Sequence, residues 1–549
     1  MRKVYLFGLV GFIICFWGLT QVFADNLCVN TTGAHGCYTT IQDAVDNANA
    51  GDVIWVEPGV YYENVHVTTA NLTIQGGTYA RKRSFFGGAN GATGWTPANP
   101  EQVIIDARPD AACACTGPGV WIDGVDNVTL RNLTVRHACY PATPPPNSGD
   151  NIWSTGDYTT LDTVYSLSSD ADGVYIEGDY ATIMNCYFTA NDDYAVDIEG
   201  DYATVQDNIM YNQGDGCVYI DGDDALVTRN TIDGVEDDDA IYIDYGDNAV
   251  ITYNTIRGVD GYGVEIYDGD YAMVANNEIS SCYYSGIYLD YCDYSTVSNN
   301  TIHGIYDCGI EVDYDSSGYN TITNNTVYDL YGEGIYVDDL DTTITGNTVY
   351  NIYDYEGIYV YCDGGTISNN TVRGATDDYE GFYLYVDNMT ISNNLAEYNA
   401  GEGFYISGDN NTIQNNTARH NGHEWEGGFN INGDGNTVSN NLAELNPGYG
   451  FDIWGQNTVN NNIARNNYRT GIYLSSANGG TLTVNANTVT NNHGEGIANF
   501  AGGGGGETVN ITNNTATGNR CDICNEGTIT TFTGNTFNTG GDATVCCLE

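Results

Sequence analysis

A phrase of about 23 residues recurs along most of this 549-residue chain, and a repeat too short to bury an apolar face of its own must stack on its neighbours. Its clearest copies are Gly-Ile-Tyr-Val at Gly334 to Val337 and Thr-Ile-Ser-Asn-Asn-Thr-Val at Thr366 to Val372. The second asparagine of the longer phrase marks the period: Asn208, Asn230, Asn254, Asn277, Asn300, Asn325, Asn347, Asn370, Asn394, Asn416, Asn441, Asn462, Asn487, Asn514 and Asn535. The steps run from 21 to 27 residues. One uninterrupted period predicts a single elongated solenoid rather than a string of globular domains.

Within the short phrase, side chains alternate between two faces as strand geometry demands. The pairs Val174/Ile176, Val218/Ile220, Ile241/Ile243, Ile335/Val337 and Phe404/Ile406 are expected to point inward. Strands that follow one another at one interval and share a core should pair in parallel, each coil about 4.8 Å above the last. Parallel crossovers are nearly always right-handed. The fold class expected is therefore all-β, a right-handed parallel β-helix of about eighteen coils. The asparagine column reads as an internal ladder of stacked amides at a turn.

Residues 1–24 have the basic start, apolar run and small-residue ending of a secretory signal, so the mature chain is expected to be secreted or displayed at the cell surface. Removing Arg2 and Lys3 with that segment takes the formal charge from −57 to −59, which excludes nucleic acid as a partner. So much self-repulsion calls for cations or salt. In an oxidising compartment the fifteen cysteines beyond Cys15 are expected mainly in disulfides, Cys28 with Cys37 first, with one thiol left over. The ending, Cys521-x-x-Cys524 and Cys546-Cys547, is irregular for a zinc site and reads as a seal on the last coil.

From Tyr38 to Val67 a helical pattern (Ile41, Ala44, Val45, Ala48) precedes a strand, Val53 to Val56, as a plug on an open stack would require. This passage resembles the N-terminal cap of the pectin-lyase-like superfamily of right-handed parallel β-helices. Within it the chain is most similar to secreted proteins with the repeats of carbohydrate-binding proteins and sugar hydrolases. The resemblance covers nearly all of the mature chain. The chain then divides into residues 1–24 (signal), 25–75 (cap and first coils), 76–151 (early coils with two inserted loops), 152–520 (regular coils) and 521–549 (Cys-rich end). A monomer is expected.

The outward face is where chemistry would lie. Tyr219, Tyr242, Tyr288, Tyr336, Tyr359, Tyr383 and Tyr405 share one outward column, and an aromatic stripe edged by acids suits the apolar faces and polar rims of a polysaccharide. Tyrosines also favour strands and stack between rungs without a ligand. Acids crowd the first half, where Glu177 with Asp179, Glu199 with Asp201 and Asp221 with Asp223 recur in successive turns. Carboxylates that close either raise their pKa values, hold calcium, or form a solvated face screened by salt. No organic cofactor is indicated.

For catalysis, Asp193, Asp197 and Asp215 could supply paired carboxylates, and Arg136 and His137 are rare cationic candidates beside the first inserted loops. The resemblance implies a Gly-His-Gly turn and an Arg-x-Lys motif for polygalacturonases, and an Asp-Phe pattern for esterases; none occurs here. Lyases of the fold use calcium with a Lys or Arg base, and Lys82 is the only mature lysine. Three functions stay open at this level: a polysaccharide-binding surface, a polysaccharide lyase or glycoside hydrolase, and a structural or adhesive surface protein.

Overall fold

The computed structural model describes residues 25–80, 94–108, 117–140, 148–313, 318–476, 479–501, 508–527 and 529–537. The leader, Arg81 to Arg83, Pro144 to Pro146, Gly502 to Gly506 and Cys546-Cys547 lie outside them. Among the described residues no helix is long and apolar enough to cross a membrane.

One coil shows how the repeat is wound. Ile241–Asp244 runs in a first sheet, a turn leads to Val250–Thr252 in a second, and Thr255–Val259 forms a third. The next coil repeats all three in parallel, pairing Tyr242 with Glu265, Ile251 with Val274 and Ile256 with Ile279. Near the N-terminal end the second and third sheets merge, because Thr129–Arg136 and Thr160–Leu167 each run through the corner as one eight-residue strand. The first sheet climbs through nineteen described strands, from Val65–Val67 to Cys521–Asn525, one more than the expected count. At the spacing of stacked strands that is roughly 80 to 90 Å of solenoid.

The expected inward pairs are all fully buried. Four coils replace the first aliphatic residue by phenylalanine, and Phe382, Phe404, Phe429 and Phe451 form an internal stack with centroids 4.6 to 4.8 Å apart. The helix Ile41–Asp46 closes the N-terminal end with Ile41, Ala44 and Val45 buried. Thr40 caps it, and Glu63 accepts from the amides of Ile41 and Gln42 at 2.8 and 3.0 Å. The first inserted loop is not wholly irregular: its two ends pair antiparallel, Thr73–Ala80 against Gly94–Pro97.

The corner between the second and third sheets carries the asparagine ladder. Asn370 donates its amide N–H to Oδ1 of Asn394 at 2.9 Å and Nδ2 to the same oxygen at 3.1 Å. Its second Nδ2 hydrogen goes to the carbonyl of Ile344 at 2.9 Å, and its Oδ1 accepts twice from Asn347. The side chain thus uses both donors and both lone pairs, which no other uncharged residue of that length can do. The residue before it, Asn369, turns the corner at φ 58°, in the left-handed region. A second ladder, Asn399, Asn421, Asn446, Asn467, Asn492 and Asn519, occupies the corner between the third and first sheets. Earlier coils fill that corner with Val235, Val259, Cys282, Leu330 and Ile352 instead.

Cys28 and Cys37 are bonded as expected, and Cys139, Cys521 and Cys524 are also in disulfides. The expectation of a single spare thiol is corrected: Cys186, Cys217, Cys282, Cys308 and Cys362 remain thiols. Each is buried in a coil, where sulfur serves as a small apolar filler.

Asn370→Ala strands two buried N–H groups of Asn347 and the Ile344 carbonyl, so it should destabilise the adjoining coils by about 3 kcal/mol. Asn369→Gly, one residue earlier at an exposed left-handed position, should cost less than about 1 kcal/mol. Hydrogen exchange at the Asn347 amide separates the two; equal exchange in both variants would reject the ladder as the main tie.

Candidate functional site

The first-sheet face is a continuous surface built by the repeat, nineteen described strands long. Tyr336, Tyr359, Tyr383 and Tyr405 stand in direct register on four successive strands. Their rings stack on one another, with centroids 5.2, 5.3 and 4.7 Å apart and planes within 35°. A ring stacked along the axis presents its edge and hydroxyl to solvent, not its face. Farther back the column is broken: Tyr219 meets Tyr242 edge to face, Glu265 and Glu311 intervene, and Tyr288 stacks on Tyr262 of the preceding turn. Tyr219 and Tyr288 donate their hydroxyls to Asp244 and Asp313.

On one side of the tyrosine column lies a groove of about 430 Å3, lined by Asp338, Tyr361, Asp363, Tyr385, Asp387 and Ser407 among others. Tyr361 is 58% exposed there, its ring tilted by 52° against that of Tyr385 with centroids 6.4 Å apart. Tyr385 shares a hydroxyl contact of 2.9 Å with Tyr383, tying the groove to the stack.

On the other side runs a row of acids that sequence reading passed over. Glu333, Glu356, Glu380 and Glu402 each precede a glycine and the first inward residue of a strand. Backbone bonds from Gly334 to Glu356, Gly357 to Glu380 and Gly381 to Glu402 put them in register. The recurring Glu-Gly-Ile or Glu-Gly-Phe was the available signal. Burial raises the carboxyls of Glu333, Glu356 and Glu380, and for Glu380 the charge of and hydrogen bond to Glu402 add to it. Burial likewise brings two acids of the tyrosine column itself, Glu311 and Asp452, up to about 7.

The N-terminal end of the same face gathers the catalytic candidates. Asp197 points out from its strand, with burial first and then Glu199, Asp150, Asp221 and Asp193 bringing its carboxyl to about 7. Its Oδ1 is buried without a hydrogen-bond partner. Burial also takes Asp172 to about 9 and Asp150 to about 6, and raises Asp193 and Asp215, which repel each other. Asp193 and Asp197 thus fall in one carboxyl cluster, whereas Arg136 and His137 do not join it. Both bind the fully buried Asp106, at 2.9 and 3.2 Å, together with Arg108. Burial by itself would raise the Asp106 carboxyl, but hydrogen bonds from Arg108, Arg136 and His137 outweigh it and hold it well below the carboxylate range. Arg131 pairs with Asp162 at 2.9 Å. Ion pairing thus accounts for these arginines.

The metal candidates lie in the turn after the first sheet. Asp179, Asp201 and Asp223 form a ladder of their own: the amide of each bonds Oδ1 of the aspartate one coil earlier, at 2.9 to 3.1 Å. The aspartates therefore have a structural reason to recur, and each keeps a second oxygen. A Cβ on Gly200 would sit 2.5 Å from the Gly178 carbonyl, which explains the glycine before them. The tyrosines after them stack too, Tyr158 on Tyr180 and Tyr180 on Tyr202 at 4.7 Å. Glu177, Glu199 and Asp221 stand on the strand side of this turn. Among the described residues, the one trio of ligand-type side chains whose donor atoms converge is Asp307, Cys308 and Glu333, not these six.

The profile described as "Right handed beta helix region" matches residues 118–272, 216–355 and 356–516, well over half of the chain. The chain belongs to the right-handed β-helix family. Among solved structures it is similar to the A-module of mannuronan C-5 epimerase AlgE4 from Azotobacter vinelandii, with 15% identity over 71% of this chain and 88% of that one and a TM-score of 0.31. It is similar to XylC, solved with xylose (12%, 67% and 84%, 0.37). A third is DFA-IIIase from Arthrobacter chlorophenolicus A6 (13%, 66% and 87%, 0.33). At these identities the likeness is one of fold. No curated protein matches the chain.

The raised carboxyls give this β-helix an unusual pH response. Between an unfolded carboxyl pKa near 4 and folded values of about 6 to 9 for Asp150, Asp197, Glu311, Asp452 and Asp172, the folded chain holds protons that the unfolded chain has released. Stability then falls as pH rises through that interval. Asp106 acts oppositely, stabilising above its unfolded pKa and losing that contribution as pH drops below about 4. Melting should be higher at pH 5 than at pH 8, by at least about 5 °C. A melting temperature that climbs from pH 5 to pH 8 would contradict the raised carboxyls.

Proposed function

We propose that this β-helix binds an extended extracellular polysaccharide along its first-sheet face, with the glycan axis parallel to the solenoid. The observation that carries the reading is the unbroken register of Tyr336, Tyr359, Tyr383 and Tyr405 between the glutamate row and the Tyr361 groove. The stacked rings offer a ladder of hydroxyls, Glu380, brought to about 9, offers a protonated carboxyl group, and Tyr361 offers a largely exposed ring. Together these supply the polar contacts and apolar platform that a sugar chain needs. A catalytic variant of the reading rests on the same protonated carboxyls, since Asp197 or Glu311 at about 7 is suited to hand a proton to a glycosidic oxygen.

Replacing Tyr359 and Tyr383 by phenylalanine keeps the stack and removes two hydroxyls, so melting should change little. Retention on the recognised polysaccharide, found with an array, should fall about thirtyfold, at about 1 kcal/mol for each of the two lost bonds. Tyr361→Ala should weaken binding similarly by removing the platform. Unchanged retention in both variants would overturn the reading. Release of reducing or unsaturated ends during the same incubation would mark the catalytic variant.

The same reading assigns calcium to the acidic rows at Glu177, Asp179, Glu199, Asp201, Asp221 and Asp223, where each ladder aspartate keeps a second oxygen beyond the one its neighbour's amide occupies. An ion bound only by the folded chain raises its melting temperature by mass action. Melting in calcium should exceed melting in chelator at fixed ionic strength by several degrees. Identical curves would leave these rows as an acidic face screened by salt.

A further inference from the structure

One coil puts sulfur in line with the glutamate row. Cys308 precedes Gly309 and Ile310 as Glu333 precedes Gly334 and Ile335, and the amide of Gly309 bonds the Glu333 carbonyl at 2.9 Å as that of Gly334 bonds the Glu356 carbonyl at 3.1 Å. The thiol therefore stands one strand spacing from the first glutamate of the row. Gly332 lets the next coil close on Asp307, since a Cβ there would lie 2.5 Å from the Asp307 carbonyl carbon. Three side chains from two coils meet as a result. Cys308 Sγ lies 3.4 Å from Glu333 Oε2 and 3.8 Å from Asp307 Oδ1, and the ligand atoms of the three groups all fall within 4.8 Å of one another.

Acids alone would mark nothing in a chain with 72 of them. The sulfur sets this cluster apart. Cys186, Cys217, Cys282 and Cys362 pack within the apolar core, where a filler role suffices, whereas Cys308, 5% exposed, lies outside that core and faces two carboxylates. A thiol has one hydrogen, so it can serve Glu333 or Asp307 but not both. The charges that bear on the sulfur are those of Glu333, Glu311 and Asp307, all of one sign. Glu311 is already engaged, its Oε2 accepting from the Ser285 hydroxyl at 2.5 Å. Two unit charges 4 Å apart repel by about 1 kcal/mol in bulk water and by more beside a protein. Converging sulfur and oxygen donors whose charged neighbours are all acids are completed by a cation.

We propose that Asp307, Cys308 and Glu333 hold a thiophilic divalent cation of the zinc class. Zinc bonds sulfur at about 2.3 Å and carboxylate oxygen at about 2.0 to 2.2 Å, so a tetrahedron places the sulfur about 3.5 Å from each oxygen. The two observed separations, 3.4 and 3.8 Å, lie on either side of that edge. A sulfur ligand selects zinc over calcium, which takes oxygen. On binding, the S–H bond breaks, its proton passes to solvent, and a sulfur lone pair goes to the ion. Cys308 is buried but Asp307 is exposed, which gives the ion a way in from solvent and leaves the fourth position to water. The site is separate from the six acids assigned to calcium and does not depend on the polysaccharide reading.

Cobalt is the probe, because a sulfur ligand gives Co2+ a charge-transfer band in the near ultraviolet and four-coordination gives it intense visible bands, neither of which a carboxylate surface produces. The full chain, stripped of metal with a chelator, is titrated with Co2+ and the complex then with Zn2+. Both sets of bands should rise to one equivalent of Co2+ and bleach as Zn2+ displaces it. Cys308→Ala should lose the charge-transfer band, while Cys282→Ala, at a thiol of the apolar core, should keep it. Asp307→Asn, a change at an exposed side chain, should weaken Zn2+ at least tenfold and leave the melting temperature of the metal-free chain unmoved. Glu333→Gln should weaken Zn2+ to a similar degree. A faint spectrum with no sulfur band, the mark of an adventitious ion only on surface acids, would overturn the site. So would a charge-transfer band that survives Cys308→Ala, or Zn2+ affinity unchanged in Asp307→Asn. Circular dichroism checks that each variant keeps its sheet. Were Cys308→Ala to unfold, the sulfur band of the parent and the affinity of Asp307→Asn would decide.

Discussion

Everything in this solenoid hangs on an amide that can bond in both directions at once. A corner in a parallel stack turns the backbone away from the ladder and leaves N–H and C=O groups with no strand partner, in a place water does not reach. Asparagine satisfies its own corner and the next with one short side chain, as at Asn370 between Asn347 and Asn394. The left-handed residue before it, tolerated by the Asn369 type of side chain, makes the corner sharp enough for the amide to point along the axis. The sheets and the buried aliphatic column follow from that repeated corner.

A constraint of the same kind shapes the surface. Parallel stacking brings identical residues to within a strand spacing of each other, whatever their chemistry. For phenylalanine inside and tyrosine outside, the outcome is stacking. For aspartate in the turns it is a ladder in which the next amide occupies one oxygen. For glutamate beside the first sheet, where burial removes solvent, the outcome is a raised carboxyl pKa. One geometry therefore produces three surfaces of different character on successive stretches of a single face.

Much of this was legible because period and alternation are local in the sequence. The inward pairs, the amide column, the capping helix with Ile41, Ala44 and Val45, and the register of Tyr336 to Tyr405 all follow from spacing alone. The orientation of the tyrosine rings did not, since stacking along the axis turns their faces to each other, a fact set by side-chain torsions. The tie of Arg136 and His137 to Asp106 was hidden as well: the partners lie 30 and 31 positions apart in sequence, and no repeat marks them. The thiols escaped because compartment argues for disulfides, whereas Cys217 and Cys282 occupy positions where neighbouring coils carry aliphatic groups. The glutamate row was readable from Glu-Gly-Ile and Glu-Gly-Phe, but a strand-centred reading stops one residue short of it.

The amide ladder has a further property. Each rung meets its neighbour in the same way whether it is the third or the thirteenth, so the interactions within the stack set no preferred total number. The N-terminal end differs: a helix with its disulfide-bonded flank closes it. Gaining or losing one whole repeat would leave the remaining corners unchanged and lengthen or shorten the outer face by a single strand spacing. The reach of that face along any partner is thus a quantity that duplication can adjust in fixed increments, without redesigning the interior.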